Sequence, residues 1–127
     1  MEFIAIITAL ALVEYMAFSM RVGMARGKYN VPAPATTGNE DFERVNRVHQ
    51  NTLEQLIVFV PSLWIFAEFT SMNIAAGLGV LFLVGRLVYA VAYVADPKKR
   101  TVGFLMGFVA NVLLVLGGVF GAVKALL

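Results

Sequence analysis

The chain has 127 residues, of which 60% are hydrophobic and 14% are charged, and its formal net charge is +2. Soluble domains carry roughly 25% charged residues, so this composition places the chain in a lipid bilayer. The sequence has no Cys and one His, which excludes disulfides, a cysteine nucleophile and a multi-His metal site within one chain. We expect membrane lipids around the protein, no metal cofactor and no nucleic-acid partner.

Four apolar segments, 3–20, 42–69, 74–95 and 102–123, account for most of the chain. Each approaches or exceeds the roughly 20 residues that cross the hydrocarbon of a bilayer. We therefore predict a single all-α domain over 1–127, an integral membrane four-helix bundle with helices at about 3–25, 42–70, 74–95 and 102–125. The first segment lacks a basic start and a convincing cleavage site, so we interpret it as a retained helix rather than a secretion signal.

The basic residues concentrate at two of the connections between these segments. Short loops rich in Lys and Arg stay in the cytoplasm. This pattern predicts a multi-pass protein of a bacterial inner membrane or the endoplasmic reticulum, with both termini outside or in the lumen. The residues concerned are Arg21, Arg26, Lys28, Arg44, Arg47, Lys98, Lys99 and Arg100. The first connection, 29–41, contains Pro32, Pro34 and Gly38, which stop a helix, and offers Asn39 or Asp41 as the N-cap of the second helix.

Polar side chains share one face of the second helix, although its later half is apolar. At 100° per residue they fall within an arc of about 140°. They are Arg44, Arg47, Gln50, Asn51, Glu54 and Gln55. On the third helix, Arg86, Tyr89 and Tyr93 have the spacing i, i+3, i+7, which also brings them to one face.

Two interpretations of these polar faces are open. The groups could neutralise one another inside the bundle, with Glu54 paired to Arg47 or Arg86. Charged groups at membrane depth are costly, however, and more often mark a functional site. Several arginines against one clear carboxylate leave surplus positive charge, which favours an anionic ligand. A ligand with two carboxylates and one ammonium group would match arginine clamps and Glu54, and glutathione has this charge pattern.

The stretches RVHQNTLE, FERV-x-R-x-x-x-N-x-x-E and GRLVYAVAY, together with the loop ARGKYNVPAPATTGNED, resemble the MAPEG family of membrane proteins in eicosanoid and glutathione metabolism. RVHQNTLE is most similar to the type 3 microsomal glutathione transferases of that family. The resemblance implies a homotrimer that binds glutathione between neighbouring subunits, on the cytoplasmic side. It further implies a transferase that conjugates the glutathione thiolate to lipophilic electrophiles, with possible reduction of lipid hydroperoxides.

Site residues are carried over from the family position by position. Arg100 matches the arginine that stabilises the thiolate, and we expect it to be catalytic. The expected glutathione-binding residues are Arg26, Arg47, His49, Asn51, Glu54, Arg86, Tyr89 and Tyr93. On the helical wheel His49 points about 160° away from Arg47 and Asn51, so it could serve a neighbouring subunit or pack as an ordinary interface residue.

Two departures and two alternatives complete the prediction. Gly27 and Gln55 replace an arginine and a tyrosine of some family members, which argues against leukotriene synthesis. One alternative is a family member that binds lipid or glutathione without catalysis. The other is a small proton-coupled multidrug exporter built around Glu14. The concentration of this chain's Lys and Arg residues on one side of the membrane, and the polar face of the second helix, argue against an exporter. For Glu14 and Asn111 we expect hydrogen bonding in the core of the trimer.

Overall fold

The computed structural model describes residues 1–127 and consists of four long α-helices. They are α1 (Glu2–Tyr29), α2 (Glu40–Phe69), α3 (Met72–Ala95) and α4 (Thr101–Leu126), with one turn of 3₁₀ helix at Pro97–Lys99 before α4. All four are long and apolar enough to cross a membrane. The all-helical prediction is confirmed; assembly into trimers stays a prediction.

The first two helices are longer than the sequence pattern predicts, and their caps explain why. α1 ends only at Tyr29, where Asn30 takes the left-handed conformation with φ 56° and the N–H of Val31 donates to the carbonyl of Arg26 over 3.1 Å. α2 begins at Glu40 because the side chain of Asn39 accepts a hydrogen bond from the N–H of Phe42 at 3.0 Å. Of the two N-caps that the sequence offers, the structure uses Asn39.

The connection between α3 and α4 is short and tightly hydrogen-bonded. The side chain of Asp96 accepts from the N–H of Lys98 at 3.0 Å, which starts the 3₁₀ turn. Arg100 follows that turn as the residue immediately before α4. Its position is therefore fixed relative to both helices by a connection of only a few residues.

The core is apolar and draws on all four helices. The rings of Phe59 on α2 and Phe82 on α3 stack with centroids 3.9 Å apart, and Leu114 of α4 is fully buried in the same cluster. At the end of the bundle opposite the basic connections, the indole N–H of Trp64 donates to the hydroxyl of Thr8 over 2.9 Å. This hydrogen bond joins α1 to α2.

Glycines allow α4 to approach its neighbours closely. Gly103 lies directly against the backbone of Tyr89 on α3, and Gly121 lies against the backbone of Phe69 at the end of α2. The hydroxyl of Thr70 donates to the carbonyl of Gly117 over 2.6 Å at the same end. Small residues permit such contacts between membrane helices, where packing rather than the hydrophobic effect drives association.

Large apolar side chains cover the outside of the bundle on every helix. Met24, Ile57, Val91 and Leu116 are each more than 60% exposed. In water a surface of this kind would drive aggregation, whereas in a bilayer it contacts acyl chains. Together with the four spans, it identifies a multi-pass membrane protein.

Candidate functional site

Five of the predicted site residues line one cavity at the basic end of the bundle. The cavity has a volume of about 500 Å³ and lies where α2, α3 and the start of α4 meet. It is lined by Arg47, Asn51, Tyr89, Tyr93, Arg100 and Phe104. This volume is typical of small-molecule sites. The polar faces of α2 and α3 therefore converge, as their helical spacing predicts.

Arg47 and Glu54 pair on the exposed side of α2. The Nη1 atom of Arg47 lies 3.7 Å from Oε1 of Glu54, and about half of each side chain is exposed. An exposed ion pair contributes at most about 1 kcal/mol to stability. Each of the two side chains can therefore leave the other and bind a charged ligand at little cost. The predicted pairing of Glu54 with Arg47 is present in the structure, and that with Arg86 is not.

Asn51 and the two tyrosines form the floor of the cavity. The rings of Tyr89 and Tyr93 stack with centroids 5.5 Å apart, one helical turn from each other on α3. Asn51 is buried, and its Oδ1 atom has no hydrogen-bond partner within the chain. A buried acceptor without a donor is costly, so a ligand N–H at this point would satisfy it.

Arg86 lies behind this floor and is completely buried. Its Nη2 atom donates to the hydroxyl of Thr52 over 2.8 Å, and its guanidinium carbon lies 4.4 Å from the centre of the Tyr89 ring. The Nε and Nη1 atoms have no partner within the chain. Thr52 thus shares in holding Arg86, although sequence reasoning passes over it because it lies outside the polar face of α2.

Arg100 reaches the cavity from the 3₁₀ turn that precedes α4. Its side chain is exposed, and its Nη1 atom donates to the carbonyl of Pro97 over 3.2 Å. The other guanidinium hydrogens are free to bind an anion. Phe104, one turn further along α4, adds an apolar wall that the sequence pattern does not predict as part of the site.

Arg26 does not line the cavity. Its Nη1 atom donates to the carbonyls of Val31 at 3.3 Å and Ala35 at 2.7 Å, and its guanidinium lies over the ring of Phe42 at 4.9 Å. Within one chain it therefore fastens the connection between α1 and α2. Its expected contact with glutathione requires a glutathione molecule in the cavity of a neighbouring subunit. That contact stays a prediction.

His49 also lies outside the cavity. It is half-buried, and its ring stacks on Tyr15 of α1 with centroids 4.8 Å apart. This agrees with the wheel position that separates His49 from Arg47 and Asn51. A role for His49 in glutathione binding stays a prediction for the same reason as that of Arg26.

A second, largely apolar cavity of about 310 Å³ lies between α2 and α4. Its two polar residues are bonded to each other: Nδ2 of Asn111 donates to Oε1 of Gln55 at 3.0 Å and to the carbonyl of Gln55 at 3.3 Å. Nδ2 of Asn111 thus has partners within one chain, whereas its Oδ1 atom is buried without one, and hydrogen bonding in the core of a trimer stays a prediction. The Oε1 atom of Glu14 is also buried and has no hydrogen-bond partner within the chain.

The arrangement suits an anionic ligand with peptide groups and an ammonium group. Arg47 and Arg100 offer cationic donors, Glu54 offers a carboxylate, and Asn51 offers an unused acceptor. Comparison with known proteins points the same way, because the sequence profile of the MAPEG family matches residues 4–120. The chain belongs to the MAPEG family.

Individual proteins are also similar to this chain. An uncharacterised protein of Synechocystis sp. is 53% identical over 113 residues, which cover 89% of this chain and 82% of that protein. Human microsomal glutathione S-transferase 2 is 35% identical over 98% of this chain and 84% of its own length. Leukotriene C4 synthase of Bos taurus is 33% identical over 76% of this chain and 65% of its own length. The finer resemblance to the type 3 enzymes stays a prediction.

Proposed function

We propose that this MAPEG protein is a membrane-bound glutathione transferase that joins the glutathione thiolate to lipophilic electrophiles. The observation that carries the proposal is the convergence of Arg47, Asn51, Tyr89, Tyr93 and Arg100 on one cavity of about 500 Å³. Relatives named for glutathione transfer and for leukotriene C4 synthesis support it. Those identities are modest, and the assignment of the substrate rests on this chain's own residues.

Glutathione fits the charges of the cavity in one orientation. A carboxylate would bind the guanidinium of Arg47 on α2, and its ammonium group would bind Glu54. A peptide N–H would satisfy Oδ1 of Asn51, which has no partner within the chain. The thiol would then lie toward Arg100, whose side chain is held only through Pro97.

Arg100 would supply the chemistry by stabilising the thiolate. A free thiol has a pKa near 8.5, so at pH 7 only a few per cent is ionised. A guanidinium that donates to the sulfur favours loss of the thiol proton to solvent. The sulfur then forms a bond to the electrophilic carbon while that carbon's bond to the leaving group breaks. The protein otherwise contributes proximity, by holding both reactants.

The electrophile would enter from the bilayer. The apolar cavity between α2 and α4, with Val58, Phe108 and Val112 in its wall, opens to the surface that lipid covers. Gln55 lines this cavity, and Asn51 of the polar cavity lies one turn before it on the same helix. A lipophilic molecule held there would lie next to the glutathione site.

We propose further that three copies assemble and that the site faces the cytoplasm. One chain leaves Arg47 exposed, and it holds Arg26 and His49 away from the polar cavity. A neighbouring copy would close the cavity and could present those two residues to it. The cytoplasmic orientation rests on the basic residues at this end of the bundle.

The test separates thiolate stabilisation from binding. Arg100→Ala should lower turnover of a model aryl halide more than it lowers glutathione affinity, because the other cavity residues still hold the neutral thiol. The ultraviolet absorbance of bound thiolate should rise only at higher pH in this variant. Arg100→Lys should restore part of the effect, since a point charge remains although the planar fork is lost.

Lys99→Ala is the matched control, because Lys99 lies next to Arg100 in the chain but does not line the cavity. The pH titration of the bound thiolate and the turnover of the aryl halide should match those of the unmodified protein. Superimposable thiolate titrations and equal turnover in Arg100→Ala and Lys99→Ala would refute the assigned role. Turnover of a lipid hydroperoxide, measured beside the aryl halide, decides whether the protein also acts as a peroxidase.

A further inference from the structure

A third cavity, distinct from the glutathione site, lies between α1 and the ends of α2 and α3. Its volume is about 390 Å³. Two cations line it, Arg21 and Lys28, and the remaining wall is mostly apolar. The other lining residues are Met24, Ala25, Tyr29, Val45 and Val94. Cations above an apolar floor, at the end of a membrane helix, form the kind of pocket that binds anionic lipid headgroups.

The two cations have no counter-ion in the chain. The only ion pairs are Arg47 with Glu54 and the amino terminus with Glu2, and no acidic side chain lines the cavity. Lys28 lies over the ring of Tyr29 at 5.3 Å, which orients its ammonium group without neutralising it. Arg21 and Lys28 are seven residues apart on α1, so they lie on one side of the helix two turns apart. An anion between them would contact both.

The wall of this cavity is held in place by the backbone of α3. Nη1 of Arg44, on α2, donates to the carbonyl of Val94 over 3.4 Å and ties the start of α2 to the end of α3. Val45, next to Arg44, and Val94 itself then form the apolar floor. Three helices therefore form the cavity, and its shape does not depend on the position of one surface side chain.

An apolar stripe on α1 continues from the cavity toward the middle of the membrane. Leu10, Val13 and Ala17 lie on the same side of α1 as Arg21, and all three are exposed. At 1.5 Å per residue, the distance along the helix from Arg21 to Leu10 is about 16 Å, which matches the roughly 15 Å of hydrocarbon in one leaflet. An acyl chain attached to a headgroup at Arg21 would thus lie along three exposed apolar side chains on this side of α1.

We propose that this cavity is a binding site for an anionic phospholipid, with the phosphate between Arg21 and Lys28 and one acyl chain along Leu10, Val13 and Ala17. A free phosphate would use only the cations and leave the apolar floor and the stripe without a role. The site does not depend on the catalytic proposal, since it shares none of the residues that line the glutathione cavity.

The experiment measures lipid binding to the full chain in detergent micelles by native mass spectrometry. Phosphatidylglycerol should be retained against an excess of phosphatidylcholine. Changing Arg21→Gln and Lys28→Gln together should weaken retention about 30-fold, which corresponds to the loss of two cations near a headgroup. Swapping the cations, with Arg21→Lys and Lys28→Arg, should keep most of the binding and shows that the helix tolerates changes there.

The matched control removes two cations from the same end of the bundle that do not line the cavity, Lys98→Gln with Lys99→Gln. Retention should then be nearly unchanged; an equal loss in both double variants would reduce the effect to diffuse attraction and overturn the proposal. Unmodified protein supplies a second test that needs no variant. Glycerophosphoglycerol, the headgroup without acyl chains, should compete poorly, and equal competition would mean that the cavity binds phosphate alone. Equal retention of phosphatidylglycerol and phosphatidylcholine would also refute the site.

Discussion

Gly103 is the position where one added methyl group should disturb the bundle most clearly. A Cβ atom there would overlap the backbone nitrogen of Tyr89 and would lie 2.6 Å from its Cα atom and 2.9 Å from the carbonyl oxygen of Gly85. All of these atoms belong to the backbone of α3, so no side-chain rotation can make room. Gly103→Ala therefore requires α3 and α4 to separate.

The size of the effect follows from the geometry. Non-bonded carbon atoms prefer a separation of about 3.5–4.0 Å, so the two helices must move apart by roughly 1 Å at this point. Overpacking of this kind costs about 1–3 kcal/mol. Alanine has a better helix propensity than glycine by up to about 1 kcal/mol, which offsets part of that cost. We expect a net destabilisation of about 1–2 kcal/mol.

Gly107→Ala is the matched comparison on the same helix. A Cβ atom at Gly107 would have ordinary contacts, 3.7 Å from Cδ of Arg86 and from Cδ2 of Phe82. This variant should therefore keep the propensity gain and be as stable as the unmodified chain or more stable. The difference between the two alanine variants should approach about 2–3 kcal/mol.

The assay is thermal unfolding of both variants in the same detergent, followed by circular dichroism at one scan rate, because membrane proteins often unfold irreversibly. Gly103→Ala should unfold at the lower temperature and should also bind glutathione more weakly, since Tyr89 lines the cavity. If Gly103→Ala were as stable as Gly107→Ala, the close approach of α3 and α4 would not be part of the native packing, and the reasoning would fail.

Three further predictions concern single bonds. Glu54→Gln should weaken glutathione binding at least about tenfold by removing the partner of the ammonium group, as measured by calorimetry; unchanged affinity would return Glu54 to a purely structural role. Trp64→Phe should lower stability by about 0.5–1.5 kcal/mol through loss of the bond to Thr8, and a double-mutant cycle with Thr8→Val should give a coupling energy of that order. Asn39→Ala should cost about 1 kcal/mol by removing the cap on the N–H of Phe42, whereas Asn39→Asp should retain stability in a thermal scan.

The sequence predicts the helices and the polar faces because both depend on local periodicity. Tyr89 and Tyr93 face the same way on any α-helix, so their convergence with Arg47 and Asn51 needs only the correct pairing of α2 with α3. The helix ends are less predictable, since they depend on which residue makes the cap. The sequence offers both Asn39 and Asp41, and the hydrogen bond from the N–H of Phe42 to Asn39 shows which one is used.

Contacts between helices that are distant in sequence account for what the pattern does not predict. Asn111 and Gln55 are 56 residues apart, and only the packing of α2 against α4 brings their amides together. The same holds for Thr52, which becomes a partner of Arg86 through the packing of α2 against α3. Arg26 shows the converse: family resemblance assigns it to a ligand, whereas within one chain its donors are used by the carbonyls of Val31 and Ala35.

The buried guanidinium of Arg86 also has a consequence for biogenesis. An arginine within a membrane helix costs about 2.5–3.5 kcal/mol when the helix inserts alone, and less when a polar partner is already present. The partner here is Thr52 on α2, and residues 40–69 leave the ribosome before residues 72–95. α2 is therefore already in the membrane when α3 leaves the translocon, so Thr52 is available to Arg86. The order of the helices along the chain matches the order in which their polar groups are needed.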